Sequence, residues 1–286
     1  MGVFSRSWEL TKMSFRVIKL DREMLLFPLL AGIFSLLFSA TLLFPTILLE
    51  IIRSSGDSVA LSVVDYALIF VSYLGMAFIA TFFNVCVVFT TKTRFEGGDA
   101  TFMDSIKFAF SKIHLIFAWS LVSATVGLLL RALDQAAQRA GTVGRILLGI
   151  LSTILGMTWS IVTIFVIPAM VYDDLGPMEA IKKSTATLRR TWGESLIRHF
   201  GLGLIQFLFM LLGVALAVLL FGTLGGMGGT GLAIAIGLTV IYFLAVILIF
   251  TVANNVYNTA LYAYANGSPP DDFDHATLEG AFGPRG

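Results

Sequence analysis

Apolar residues in this chain gather into six long runs separated by short polar connections, without the strict alternation of half-buried strands. The runs cover residues 24–49, 66–90, 113–130, 146–172, 201–221 and 231–252. A helix needs about 20 apolar residues to cross the hydrocarbon core, because lipid offers no partner to an open backbone N–H or C=O. The pattern therefore predicts an all-α fold, a polytopic membrane bundle of six transmembrane helices. The third run is the shortest and is expected to borrow its last turn from Arg131, whose stem can reach the headgroups. The first and fourth exceed a perpendicular span and are expected to tilt or kink, with Pro28, Pro45 and Pro168 each removing a backbone donor near a helix end.

The polar connections carry a pattern of their own. An apolar residue followed by an acid recurs as Trp8-Glu9, Met103-Asp104, Met178-Glu179 and Phe273-Asp274, the acids standing 95, 75 and 95 residues apart. A lysine follows three residues later in the first three copies, at Lys12, Lys107 and Lys182, while the fourth has Thr277. Each copy borders a transmembrane hairpin on the same side of the membrane. The acid suits the first turn of a short helix and the lysine one turn on makes its partner. Read at helical period, Phe4, Trp8, Phe15 and Ile18 oppose Lys12, Arg16 and Lys19. Phe102, Ile106, Ala109 and Ile113 form the second stripe, with Lys107 and Lys112 outside it. Met178, Ile181, Thr185 and Leu188 form the third, against Lys182, Lys183, Arg189 and Arg190. Such helices are expected to lie in the membrane interface. The predicted unit is one interfacial helix plus one transmembrane hairpin, repeated three times in parallel: residues 1–96, 97–175 and 176–265, with an acidic tail at 266–286. Asp271, Asp272, Asp274 and Glu279 of that tail are expected to fold back on the basic helices.

Composition sharpens the class. Hydrophobic residues make up 57% of the chain and charged residues 13%, about half the ~25% of a soluble domain. The net charge of +1 conceals a strong polarity. Of 19 basic residues, only Arg53, Arg131, Arg139 and Arg145 fall in the connections after the first and third runs; all others lie on the opposite side. Cytoplasmic loops retain Lys and Arg, so both termini are expected in the cytoplasm. No removable signal peptide is expected, since the first run is too long and lacks a small-residue cleavage pattern, and Arg6 stands where myristoylation wants Ser or Thr.

Chemistry-bearing residues are few. Ser152, Gly156 and Ser160, and Gly213 with Ala217, are spaced for close helix contacts within the bundle. The glycine-rich connection 222–231 is expected to be a flexible turn; it has neither the Lys-Ser nor the preceding strand of a phosphate cradle. Asn84 and Asn254 each stand 20 residues before a repeat acid and are expected to be equivalents, with Trp159 in the middle copy's slot. With Asn255 and Asn258 they predict interhelical hydrogen bonds, or alternatively a polar cavity. Asp65, at the outer edge of the second run, reads as a solvated carboxylate, and Asp173-Asp174 as a solvated turn. His114, His199 and His275 lack ligand spacing, Cys86 is the only cysteine and sits among valines, and no G-x-S-x-G or HExxH occurs. No enzyme, cofactor, metal or nucleic-acid partner is expected.

The run from Pro168 to Ser184, the Arg190-Thr191-Trp192-Gly193 that follows, the Asn258 to Ala265 segment and the Phe273 to Phe282 tail resemble a widespread set of uncharacterised prokaryotic six-span membrane proteins. The chain is more distantly similar to the membrane domain attached to some glycerophosphodiester phosphodiesterases, although no phosphodiesterase domain is present. The resemblance implies a bacterial or archaeal cytoplasmic membrane. Two classes of function follow: a membrane-organising or accessory protein whose basic helices bind anionic lipid, a protein partner or a second copy, and a small transporter or channel among the repeats.

Overall fold

Five of the six long apolar runs each become one helix and the fourth becomes two, and the described parts of the short amphipathic segments are helices beside them. The computed structural model describes residue 12 and residues 14–53, 63–192 and 201–267. Helix α1 spans residues 14–20, and a 3-10 turn, Arg22–Leu25, leads into α2, Leu26–Arg53. There follow α3 (Val63–Phe95), α4 (Phe102–Ser111), α5 (Ile113–Arg139), α6 (Thr142–Val162), α7 (Val166–Asp173), α8 (Pro177–Trp192), α9 (Gly201–Leu224) and α10 (Gly228–Ala265). No strand occurs among the described residues. Five stretches are long and apolar enough to cross a membrane: Arg22–Leu42, Ala67–Phe95, Ile113–Arg139, Thr142–Asp173 and Leu202–Ala265. The last holds 64 residues and contains the 3-10 turn Gly225–Met227, so it is two helices. The chain is a multi-pass membrane protein.

Several helices outrun their apolar cores. α5 continues from Leu130 to Arg139, and α10 from Val252 to Ala265. Apolar count measures the hydrocarbon, whereas a helix stops only where its backbone groups find other partners. Arg131 does not simply reach for headgroups: its Nη1 donates to Tyr73 Oη of α3 at 3.0 Å. The glycine-rich connection is shorter than expected, because α9 runs on to Leu224 and α10 begins at Gly228, whose φ of +77° suits a residue without Cβ.

The kink expected in the fourth run is a full break between α6 and α7. Pro168 has no N–H to give Ile164, and it sits in the first turn of α7, where no intrahelical acceptor is needed. At the break itself the Phe165 N–H donates to Ser184 Oγ on α8 at 3.2 Å, and both residues are fully buried.

Helices α2 and α3, α5 and α6, and α9 and α10 pair as hairpins, and α3 also packs on α4, α5, α7 and α10. Gly75 of α3 seats against the ring of Phe38 on α2, where any Cβ would collide. Gly213 does the same for Tyr242, whose hydroxyl donates to Phe209 O at 2.8 Å. Ser152 is buried, as a small contact residue should be, but Gly156 has open space and Ser160 is exposed. The α6 stripe therefore makes less internal contact than its spacing predicted, and α6 meets α5 with Trp159 stacked on Trp119 at 5.8 Å.

The core lies toward one end of the bundle. Its fully buried side chains include Val85 to Val88 of α3, Met24 and Phe27 at the start of α2, Phe165 and Val166, and Val252, Ala253, Val256, Ala260, Leu261 and Tyr262 of α10. Toward the other end the helices present exposed Leu, Ile and Val side chains, as a lipid-facing surface does.

Candidate functional site

The polar groups of the molecule meet at the end where the core is densest. Here α1, α4 and α8 abut the start of α2 and α5 and the close of α3, α7 and α10. Each short helix is docked on the bundle by one face. Ser14, Val17 and Ile18 of α1 are buried, and Phe15 meets Phe250 of α10 edge-on at 6.0 Å. On α4 the buried residues are Ser105 and Ala109, with Ile113 exposed and belonging to α5. On α8 they are Ala180, Ser184, Thr187 and Leu188, while Met178 is 64% exposed. The buried stripe of α8 is thus rotated from the expected one. Small side chains at 180 and 184 let α8 approach the break before α7, and Ser184 supplies the acceptor needed there.

Helix α4 is fixed from both sides. Thr101 caps it, its Oγ1 accepting from the Asp104 N–H at 3.2 Å while Asp104 Oδ2 accepts from the Thr101 N–H at 3.2 Å and hydroxyl at 2.6 Å. The Thr101 hydroxyl holds the Asp104 carboxyl below the usual range, with the Thr101 N–H helping and Lys107 adding least. In this copy the repeated acid is thus a capping group, and its lysine is secondary. Glu23, from the turn before α2, accepts the next free N–H, that of Phe102, at 2.8 Å. Below this, Ser105 Oγ bonds Thr90 Oγ1 at 2.7 Å, and the Cys86 thiol donates to Ser105 O at 3.6 Å.

Ion pairs tie the elements together. Arg94, closing α3, grips Asp21 with Nε at 2.7 Å from Oδ2 and with its Nη2, which also lies 2.7 Å from Asp99 Oδ1. Lys92 sits 3.9 Å from Glu96 and over the Tyr172 ring. Asp173 and Asp174 are more than a solvated turn. Asp173 accepts the Tyr262 hydroxyl of α10 at 2.6 Å and lies 3.4 Å from Lys183 Nζ, while Asp174 takes Lys112 Nζ at 2.7 Å. The pair joins α7, α8, α10 and the Lys112 that precedes α5, and Asp174 itself adopts a left-handed φ of 54°.

This sorts the expected basic residues. Lys112 and Lys183 are spent on structural pairs. Lys12, Arg16, Lys19, Lys107, Lys182 and Arg189 are exposed. Among the described residues no acid pairs with Arg16, Lys19, Lys107, Lys182 or Arg189. The Arg190 side chain, His199, His275, the Asp65 side chain, Phe4, Trp8 and the acidic tail lie outside the described residues.

Of the four asparagines, the structure brings two together. Asn255 Nδ2 donates to Asn84 Oδ1 at 3.1 Å and to Thr251 O at 3.0 Å. Asn254 and Asn258 are half-buried on α10 and do not join them. The partner of Asn84 is therefore one residue on from its expected equivalent, since α10 turns its 255 face toward α3. Sequence reasoning passed over Asp21, Glu23, Arg94 and Tyr262; the signal available for Tyr262 was a hydroxyl in an apolar stretch, which when buried needs a partner.

Among the described residues no group of three or more His, Cys, Asp or Glu side chains is placed to hold a metal ion. The family model described as DUF6159, a family of unknown function, matches residues 63–270. The chain belongs to that family. No curated protein matches the chain. The DUF6159 match takes in α3 to α10, and with them the Asp173 and Asp174 pairs, the α6–α7 break and the Asn84–Asn255 bond.

Proposed function

We propose that this protein organises its membrane surroundings, as an accessory or scaffold protein that holds anionic lipid headgroups or a partner of like charge against α1, α4 and α8. The observation that carries the reading is the division of the bases. Arg94, Lys112 and Lys183 are held by acids of neighbouring segments, whereas Arg16, Lys19, Lys107, Lys182 and Arg189 are left exposed at one end with no ion-paired acid among the described residues. A basic flank on a helix at a membrane border attracts anionic headgroups, each base near the surface contributing about 1 kcal/mol. The excess of Lys and Arg on this side supports placing it in the cytoplasm, and the resemblance to prokaryotic proteins supports a bacterial or archaeal cytoplasmic membrane. The asparagines support hydrogen bonding rather than a pathway, since Asn255 donates to Asn84 across the contact of α10 with α3. We read the protein as a non-enzyme that needs no cofactor and no nucleic acid, and as three parallel repeats, since the short helix and long hairpin recur in order.

The test is native mass spectrometry of the protein from lipid nanodiscs containing phosphatidylglycerol. Replacing Arg16, Lys19, Lys107, Lys182 and Arg189 by Gln is expected to lower retention of anionic lipid by roughly two orders of magnitude or more at low salt. Retention equal to that of the unaltered protein, with no bound partner lost, would refute the reading.

A further inference from the structure

The exposed bases of α8 have a candidate occupant within the chain itself. Helix α10 delivers the following segment to α8: the Tyr262 hydroxyl is bonded to Asp173, and Asp173 also pairs with Lys183, the neighbour of Lys182. α10 ends at Ala265 and the turn closes at Gly267, whose φ of +87° sends the chain off the helix axis. After Gly267 come Asp271, Asp272, Asp274 and Glu279, and residues 268–286 hold only Arg285 against them. Asp271 is four residues past Gly267, a reach of up to about 14 Å, and Glu279 is twelve past, a reach of up to about 40 Å.

The local acids leave this face uncompensated. Asp173 is engaged by Tyr262 and Lys183, and Asp174 by Lys112. Glu179, one turn before Lys182, makes no ion pair with it. Lys182 and Arg189 are both exposed, and they lie seven residues apart, two turns along one side of α8.

We infer that the acidic segment 271–279 docks on Lys182 and Arg189 of α8 and competes there with anionic headgroups. The contact stands on the geometry of α8 and α10; the competition rests on the lipid-holding reading above. A segment of four carboxylates tethered within reach acts at high effective concentration, so headgroups must displace it. The protein would then take up anionic lipid at α8 only where such lipid is abundant, or where the segment is drawn away.

Zero-length carbodiimide coupling of the unaltered full chain, in nanodiscs of neutral phosphatidylcholine, tests this by mass spectrometry of the joined peptides. Lys112 with Asp174, and Lys183 with Asp173, are internal controls at 2.7 and 3.4 Å. Expected is a further amide link between Lys182 and a carboxylate of 271–279 within one molecule. That link should vanish at ionic strength of about 1 M, where the screening length is roughly 3 Å. It should also fade as phosphatidylglycerol replaces phosphatidylcholine. Control links without this one, or this one found only between two copies, overturns the docking. A link unmoved by phosphatidylglycerol overturns the competition. The Gln variants of the five bases, read by lipid retention, report on the broader reading separately.

Discussion

Asp173 shows how one side chain can join three elements. It stands where α7 ends, accepts a hydroxyl from α10 and faces an ammonium from α8. The Tyr262 ring is fully buried, so its hydroxyl must find an acceptor or forfeit its hydration. Tyr262→Phe keeps the ring and removes the bond. It is expected to lower stability by about 1.5–3 kcal/mol, the range for a hydrogen bond to a charged group, measurable as a reduced unfolding midpoint in detergent. Asp104 works at the same scale. Its carboxyl is held below the ordinary range by Thr101, so the charged form is the folded form. The contribution is complete above the ordinary carboxylate value and is lost as pH falls through the lowered one. Thr101→Ala is expected to weaken α4 by about 1 kcal/mol near neutral pH and to reduce that acid-side loss, the backbone N–H at position 101 and Lys107 keeping part of it. Hydrogen exchange at the Ser105 amide, which bonds Thr101 O at 3.2 Å, follows both effects. The acid of the repeated dipeptide was legible in the sequence as a helix-start residue. Its partner was not, because a capping box is closed by the residue three positions before, outside the repeat being compared.

At the scale of the element, the break between α6 and α7 is where sequence and packing meet. Pro168 announces that a helix cannot pass unaltered, but whether it bends or stops depends on what receives the freed backbone groups. Ser184, from another helix, accepts the Phe165 N–H at the break. Ser184→Ala removes the Ser184 acceptor from the buried Phe165 N–H, an expected loss of about 1–3 kcal/mol. Hydrogen exchange at Phe165 should quicken together with that of α8. The faces of the short helices follow similar logic. Periodicity marked α1, α4 and α8 as amphipathic, yet α8 buries Ala180 and Ser184 rather than Met178. Hydrophobicity alone favours the larger residue; close approach of two backbones favours the smaller one. Gly213 illustrates the same rule in the hairpin of α9 and α10, where Tyr242 occupies the space a side chain would take. Gly213→Val is expected to push the hairpin apart and destabilise it by about 1–3 kcal/mol, seen as quickened exchange in both helices.

The whole molecule is packed most tightly at its charged end, where helix ends, short helices and ion pairs converge. The proposed topology is testable there because Cys86, the only cysteine, is buried. A single added cysteine at Lys107 or Gly226 reports on one end each. In intact cells a membrane-impermeant maleimide is expected to label Gly226→Cys and to spare Lys107→Cys until the membrane is opened; the reverse would invert the topology. The sequence by itself determined that the chain is a multi-pass helical membrane protein, because the requirement for buried backbone hydrogen bonds in lipid depends only on length and apolarity. It also marked α1, α4 and α8 as amphipathic helices, since that periodicity is local. Which bases are held by acids and which are left exposed was decided by the tertiary structure alone. Lys182 and Lys183 are adjacent and chemically identical, and only Lys183 meets Asp173, across the contact of α8 with the end of α7. Such pairing depends on distances between residues far apart in the chain, and those distances exist only once the helices have packed.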